Sequence, residues 1–141
     1  MRLIDARTGI EVLSREECLV RLRQDLVGRL AVVDGDAAAL LPVNYAMDGE
    51  TVVFRSAPGT KLAAAGRAKA SFEIDEFDRA SRSGWSVVVS GRLEEVEAHG
   101  RLRHLHDLPL DPWAPGERSH WLRLVPERIT GRVVHRPAGR I

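Results

Sequence analysis

From Cys18 onward the apolar residues recur at helical spacing: Cys18, Leu19, Leu22 and Leu26 share one face, and Arg15, Arg21, Arg23 and Gln24 lie on the other. Ser14 and Glu17 form a capping box ahead of this run, so the pattern predicts a helix over about 14–26 that ends near Gly28. Beyond it the period shortens. Residues 30–33 and 38–45 are apolar runs separated by the turn Asp34-Gly35-Asp36. The second run is nearly all apolar, which predicts a strand covered on both faces, with an edge or bulge at Pro42. Asp48-Gly49 is a hairpin signal, and 51–56 is the returning strand. These three strands read as an antiparallel meander.

Residues 60–65 form a short alanine-rich helix closed by Gly66. A strand over 69–75 puts Ala70, Phe72 and Ile74 on one face, and the polar stretch 75–84 reads as a loop. Residues 85–96 are a long strand with a bulge or bend at Gly91. A helix follows over 99–105, and Pro109, Pro112 and Pro115 make 108–117 an irregular loop. A strand over 119–125 is interrupted at Pro126-Glu127 and resumes over 128–135, leaving 136–141 as a loose tail. Six or seven antiparallel strands with short helices inserted make the chain mostly β. A barrel is favoured because closure hides strand edges. With no internal repeat or low-complexity linker, 1–141 reads as a single domain.

Composition narrows the function classes. A chain of 141 residues, 44% hydrophobic and 29% charged, can bury one core. The net charge of +1 gives no global field toward nucleic acid or a membrane. Arg128, Arg132, Arg136 and Arg140 lack aromatic partners in the same segment, so they read as a solvated tail and not a nucleic-acid surface. The single cysteine, Cys18, reads as a core residue and fits a reducing compartment. No apolar run reaches the ~20 residues that a membrane span needs, and no signal peptide is visible, so the expected location is the cytoplasm.

The chemistry concentrates where the 51–56 strand ends. Arg55-Ser56 is followed by Ala57-Pro58-Gly59 and then Thr60-Lys61. A phosphate needs charge-assisted donors, which Arg55 and Lys61 supply; Ser56 and Thr60 add hydroxyls, and the turn and helix start add backbone N–H groups. Successive strand residues point to opposite faces, so Arg55 and Ser56 meet one phosphate only if the strand breaks at its tip. Elsewhere no Ser/His/Asp triad or carboxylate pair stands out by order or spacing, and no general acid is assigned. His104, His106, Asp107 and Asp111 match no standard metal spacing, so no metal is expected.

In this order and spacing, several segments carry a family resemblance. They are the helix of 16–26, Gly28-Arg29-Leu30-Ala31, Pro42-Val43-Asn44-Tyr45, Phe54-Arg55-Ser56, Gly59-Thr60-Lys61, Trp85-Ser86-Val87 leading to Gly91, and 121–129. Together they resemble the FMN-binding split-barrel superfamily that includes pyridoxamine 5'-phosphate oxidase, over roughly residues 16–131. The resemblance implies an antiparallel split β-barrel and a homodimer with FMN at the interface. It puts Arg55, Ser56, Thr60 and Lys61 around the phosphate and Val43, Asn44 and Tyr45 along the flavin ring. It puts Ser86 and Trp85 near the ring's polar edge, with Trp121 and Arg123 reaching across from the partner subunit. Trp113, in the proline-rich loop, would cover the substrate side.

The chain also departs from true pyridoxamine-phosphate oxidases. Their C-terminal tryptophan and arginine-leucine-histidine triplet are replaced by Ile129-Thr130-Gly131-Arg132-Val133-Val134-His135-Arg136, and the arginine-rich start of the second strand is Leu40-Leu41-Pro42. The resemblance therefore implies a flavin-dependent reductase or oxidase of another small molecule. A deazaflavin-dependent reductase and a non-catalytic flavin or haem carrier are the alternatives. In the haem case His99, His120 or His135 would be the axial ligand.

Overall fold

Ser14 caps the first helix as its sequence requires. Its hydroxyl accepts from the Glu17 amide at 3.1 Å, and the Glu17 carboxylate accepts from the Ser14 amide at 3.1 Å. The computed structural model describes residues 3–34, 36–56, 69–96, 99–110, 112–113 and 120–135. In chain order these form β1 (Leu3–Ile4), β2 (Glu11–Leu13), α1 (Arg15–Gln24), β3 (Val27–Asp34), β4 (Ala37–Asn44), β5 (Ala46–Asp48), β6 (Thr51–Ser56), β7 (Lys69–Asp78), β8 (Ser83–Glu95), α2 (His99–His106) and β9 (His120–Val134). The helix expected over 60–65 and the tail 136–141 lie outside the described residues. α1 buries Cys18, Leu19 and Leu22 but ends at Gln24, so Leu26 falls beyond it and is 53% exposed. Removing the capping hydroxyl with Ser14→Ala is expected to cost about 1 kcal/mol, read as a lower urea midpoint with an unchanged slope.

The strands are all antiparallel and run in the order β1-β2-β9-β8-β7-β3-β4. β9 is shared along its free edge: its C-terminal half pairs with β2, and its N-terminal half pairs with β6, which in turn pairs with β5. The expected meander is therefore corrected. The run expected over 38–45 ends at Asn44 as β4, which pairs back onto β3, and a separate strand, β5, goes forward onto β6. Among the described residues no ladder joins β4 to β5 or β6, so the sheet curls without closing, as a split barrel does. The Asp48-Gly49 hairpin is present, with Asp48 opposite Thr51 and Gly49 at φ +63, where a side chain would be strained.

Two other strand boundaries differ from the pattern's reading. β7 and β8 extend to Asp78 and Ser83, because the polar stretch continues the ladder to a four-residue turn. Polarity there reports solvent on the outer side and not a loop. β9 runs unbroken through Pro126 and Glu127. The ladder steps from Ser90↔Arg128 to Gly91↔Pro126, and a bulge absorbs the missing proline donor. β1 and β2 were not anticipated, because two- and three-residue strands carry no period of their own.

Inside the curl lies the main core: Leu19, Leu22, Leu30, Tyr45, Val52, Phe54, Phe72, Ile74, Val87, Val89, Leu93, Leu122 and Leu124, with Leu13 and Cys18 under α1. A smaller cluster sits on the outer side of β6 and β9, where Ala46, Val53, Val96 and Trp121 meet Leu105 of α2 and Leu110. β4 was expected to be covered on both faces. Its outer face is open instead, with Leu40 at 66% exposure, because β4 ends the sheet and nothing among the described residues packs over it. No helix among the described residues is long and apolar enough to cross a membrane.

Candidate functional site

The register of β6 on β9 decides what the strand tip offers. Arg55 lies directly opposite Trp121, on the outer face, and its guanidinium carbon sits 4.8 Å from the Trp121 ring centroid. The indole is 3% exposed and meets the His106 ring edge-on at 5.1 Å. A cation over a buried indole gains about 0.5–2 kcal/mol and loses rotamer freedom, so this arginine is pre-set. Two residues along β9, Arg123 shares the outer face and donates through Nε at 3.2 Å and Nη2 at 3.0 Å to one Glu94 oxygen. α2 is tied to the neighbouring hairpin by His104, whose Nε2 is 2.8 Å from Asp48 Oδ1; that carboxylate raises the His104 pKa. Ser56 turns inward and is 4% exposed. Thr60 and Lys61 lie outside the described residues.

The exit of β4 offers a second group of residues. Asn44 is on the outer face with Pro42, and its Oδ1 accepts from the Trp113 amide at 2.9 Å. Val43 packs inward against the main core. Tyr45 is 1% exposed; its hydroxyl donates to the Leu22 carbonyl at 2.5 Å and its ring meets Phe72 edge-on at 4.7 Å. Burial pushes its pKa well up, so it stays a neutral donor. Trp85 and Ser86 part by strand alternation. Trp85 faces inward beneath α1, with the Arg21 guanidinium 4.4 Å from its centroid. Ser86 faces outward between Asp75 and Arg132.

The structure thus brings Arg55, Trp121 and Arg123 together within one protomer, and it puts Asn44 and Ser86 on the same outer surface. It does not bring Ser56, Val43, Tyr45 or Trp85 to that surface by their side chains. Loop 108–113 links the two groups, since Leu110 packs with Trp121 while Trp113 holds Asn44. Four histidines have other partners, and the side chain of His99 lies outside the described residues. His120 Nδ1 lies 2.5 Å from Glu95, His135 Nε2 lies 3.2 Å from Glu11, and His104 and His106 are engaged as above.

One constellation was missed. On the outer face, Arg29 Nη1 lies 3.3 Å from Glu73 Oε1 and 3.4 Å from Asp75 Oδ2, so one nitrogen serves two carboxylates. Burial first, then the adjoining Asp75 carboxyl, push Glu73 up to about 7 against the pull of Arg29. The sequence did carry a signal: Lys69, Ser71, Glu73 and Asp75 alternate with Ala70, Phe72 and Ile74. Two carboxylates spaced i, i+2 on a strand must share a face. Beside them runs a cleft of about 420 Å³ lined by Ala31, Val33, Ala38, Lys69, Ser71 and Ser90.

This donor set fits a phosphorylated planar ligand. A guanidinium seated on an indole suits an anion. An apolar surface of Ala31, Val33, Leu40 and Pro42, with the Asn44 amide at its β4 end and Ser86 two strands away beyond Glu73 and Asp75, suits a ring with polar edges.

The family model described as pyridoxamine 5'-phosphate oxidase matches residues 14–133. An uncharacterized protein of Rhizobium meliloti (strain 1021) is 35% identical over 135 residues, covering 89% of this chain and 85% of that protein. The FAD-binding protein from Mycobacterium smegmatis is similar in structure at TM-score 0.75 and 32% identity, over 88% of this chain and 98% of that one. A FAD-binding protein from Mesorhizobium loti gives TM-score 0.71 and 29% identity, over 89% and 98%.

Proposed function

The chain belongs to the pyridoxamine 5'-phosphate oxidase family, and from that premise we propose that it binds a flavin nucleotide and is an oxidoreductase of a small molecule, working as a homodimer. The observation that carries this reading is Arg55 on Trp121 at 4.8 Å, one residue before β6 ends at Ser56. Arg55 holds the phosphate there, with Thr60 and Lys61 completing the cradle. Asn44 and Ser86 address the polar edges of the ring, while Val43, Tyr45 and Trp85 hold the strands that carry them. A bound flavin would supply two-electron transfer, leaving the protein to bind, orient and exclude water. FMN is the form favoured by the sequence resemblance, and FAD is supported by the two relatives at 32% and 29% identity. The missing tryptophan and arginine-leucine-histidine of 129–136 argue for a substrate other than pyridoxamine phosphate.

The test is to titrate the purified protein with FMN, FAD and a deazaflavin coenzyme separately. The expected result is quenched flavin fluorescence and a raised Tm with FMN or FAD. No change with either at saturating concentration would overturn the reading, and tighter binding of the deazaflavin would move it to that cofactor. Arg55→Ala is expected to weaken flavin binding by roughly 10- to 100-fold, since a hydrogen bond to a charged group is worth roughly 1.5–3 kcal/mol. Unaltered affinity would mean that the phosphate lies elsewhere.

A further inference from the structure

We propose that Glu73, Asp75 and Arg29 form the proton-exchanging group of the outer face, with Glu73 exchanging a proton with the planar ligand that lies between Asn44 and Ser86. The observation is one of placement. The register aligns Pro42, Arg29, Glu73, Val88 and Thr130 across five strands, and Asp75, Ser86 and Arg132 in the adjoining row. The carboxyl pair therefore sits between the β4 exit, with Asn44, and Ser86, the two places that the proposed function assigns to the ring edges. For its ligand the inference rests on that reading; the shared proton itself does not.

The surroundings make Glu73 the member that changes charge near neutrality. Its side chain is 31% exposed and Asp75 is 24% exposed, and both face the same Arg29 nitrogen. On β7 the charged groups facing it are Asp75 and, further along, Lys69; β3 contributes Arg29. β8 presents only Ser86, Val88 and Ser90 near it, with Arg92 farther along, and β9 beyond presents Arg128 and Arg132. The outer face of β4 adds no charge. Burial and Asp75 oppose ionisation, Arg29 favours it, and the balance leaves Glu73 at about 7. With one proton on the pair and Arg29 charged, the unit is neutral; without that proton it carries one negative charge.

The step balances. A bound flavin would supply the two-electron chemistry. On its reduction the Glu73 O–H bond would break as the proton passes to the polar edge of the ring, leaving both carboxylates ionised beside Arg29. Solvent returns the proton.

Two measurements test this. The first needs no cofactor: carbon-13 NMR titration of the glutamate carboxyls in the apoprotein. Glu73 is expected to titrate near pH 7. The resonance should be absent in Glu73→Gln, and its midpoint should rise in Arg29→Gln as the stabilising cation is lost. A midpoint in the ordinary carboxylate range overturns the proposal, as does one that Arg29→Gln leaves unmoved. The second measurement is the pH profile of quinone reduction by flavin-loaded protein. Wild type is expected to lose kcat above pH 7, whereas Glu73→Gln should be at least tenfold slower without that arm and with flavin affinity retained. An unchanged kcat and profile in Glu73→Gln overturns the proposal. A Glu73 midpoint near 7 in a protein that binds no flavin would instead overturn the cofactor reading.

Discussion

Gly91→Ala is expected to cost about 3 kcal/mol, at the upper end of what overpacking does, and so to lower Tm by roughly 10 °C for a chain of this length. The reason is local and rigid. A Cβ at position 91 would lie 1.9 Å from the Val125 carbonyl oxygen, 2.9 Å from its carbon and 3.1 Å from the Glu127 nitrogen. All three are backbone atoms, so no rotamer change relieves the clash. They also belong to the bulge where β9 takes up Pro126. Pushing the strands apart there would disturb the longest ladder in the sheet. It would also disturb the change of parity by which Leu122 and Leu124 face the core before the bulge and Ile129 after it. Thermal and urea unfolding measure the effect. A change below about 0.5 kcal/mol, the usual range for an uneventful surface substitution, would show that β8 and β9 do not approach so closely.

Trp121→Ala should destabilise by about 3–5 kcal/mol, the usual cost of truncating a buried indole, and should also weaken flavin binding in whatever fraction stays folded. Trp121 is 3% exposed and packs with Val53, Val96, Leu105 and Leu110, so its removal opens the cluster that seats α2. It also takes the platform from under Arg55 and the ring partner from His106. Arg55 would keep its charge but recover its rotamers, so binding would lose pre-organisation. The affinity deficit should approach that of Arg55→Ala without exceeding it. A urea midpoint near wild type would mean that Trp121 is not enclosed. Wild-type flavin affinity in a destabilised Trp121→Ala protein would separate the indole from the phosphate.

Much of this architecture was legible because the residues that specify it are local. Ser14 and Glu17 announce the start of α1, Gly49 announces the β5–β6 hairpin, and alternation through Phe72 and Ile74 fixes the buried side of β7. What escaped was pairing between distant segments. Nothing near Tyr45 says that β4 turns back while β5 goes forward, because that choice is made by the Leu22 carbonyl and the Phe72 ring, both far away in sequence. The candidate site divides in the same way. Arg55 was readable from its position at a strand tip before Pro-Gly. Its pairing with the Trp121 indole in the same chain carried no local signal, because the β6–β9 register that sets the two opposite joins segments far apart in sequence. Glu73 and Asp75 were passed over as ordinary strand polarity, since a sequence gives their spacing but not the single Arg29 nitrogen between them.

Among the described residues no ladder joins the two ends of this wall, which meet at the Tyr45 peptide and through the hydrogen bond from Trp113 to Asn44, so its circumference is not fixed by a closed ring of pairing. In a fully closed cylinder, any change of bore must break hydrogen bonds around the whole ring. Here the two ends can draw together or part by bending at one residue, with every ladder intact. Guests of different girth could then be gripped by the same strands at little elastic cost, which gives such a wall a mechanical reason to keep its seam open.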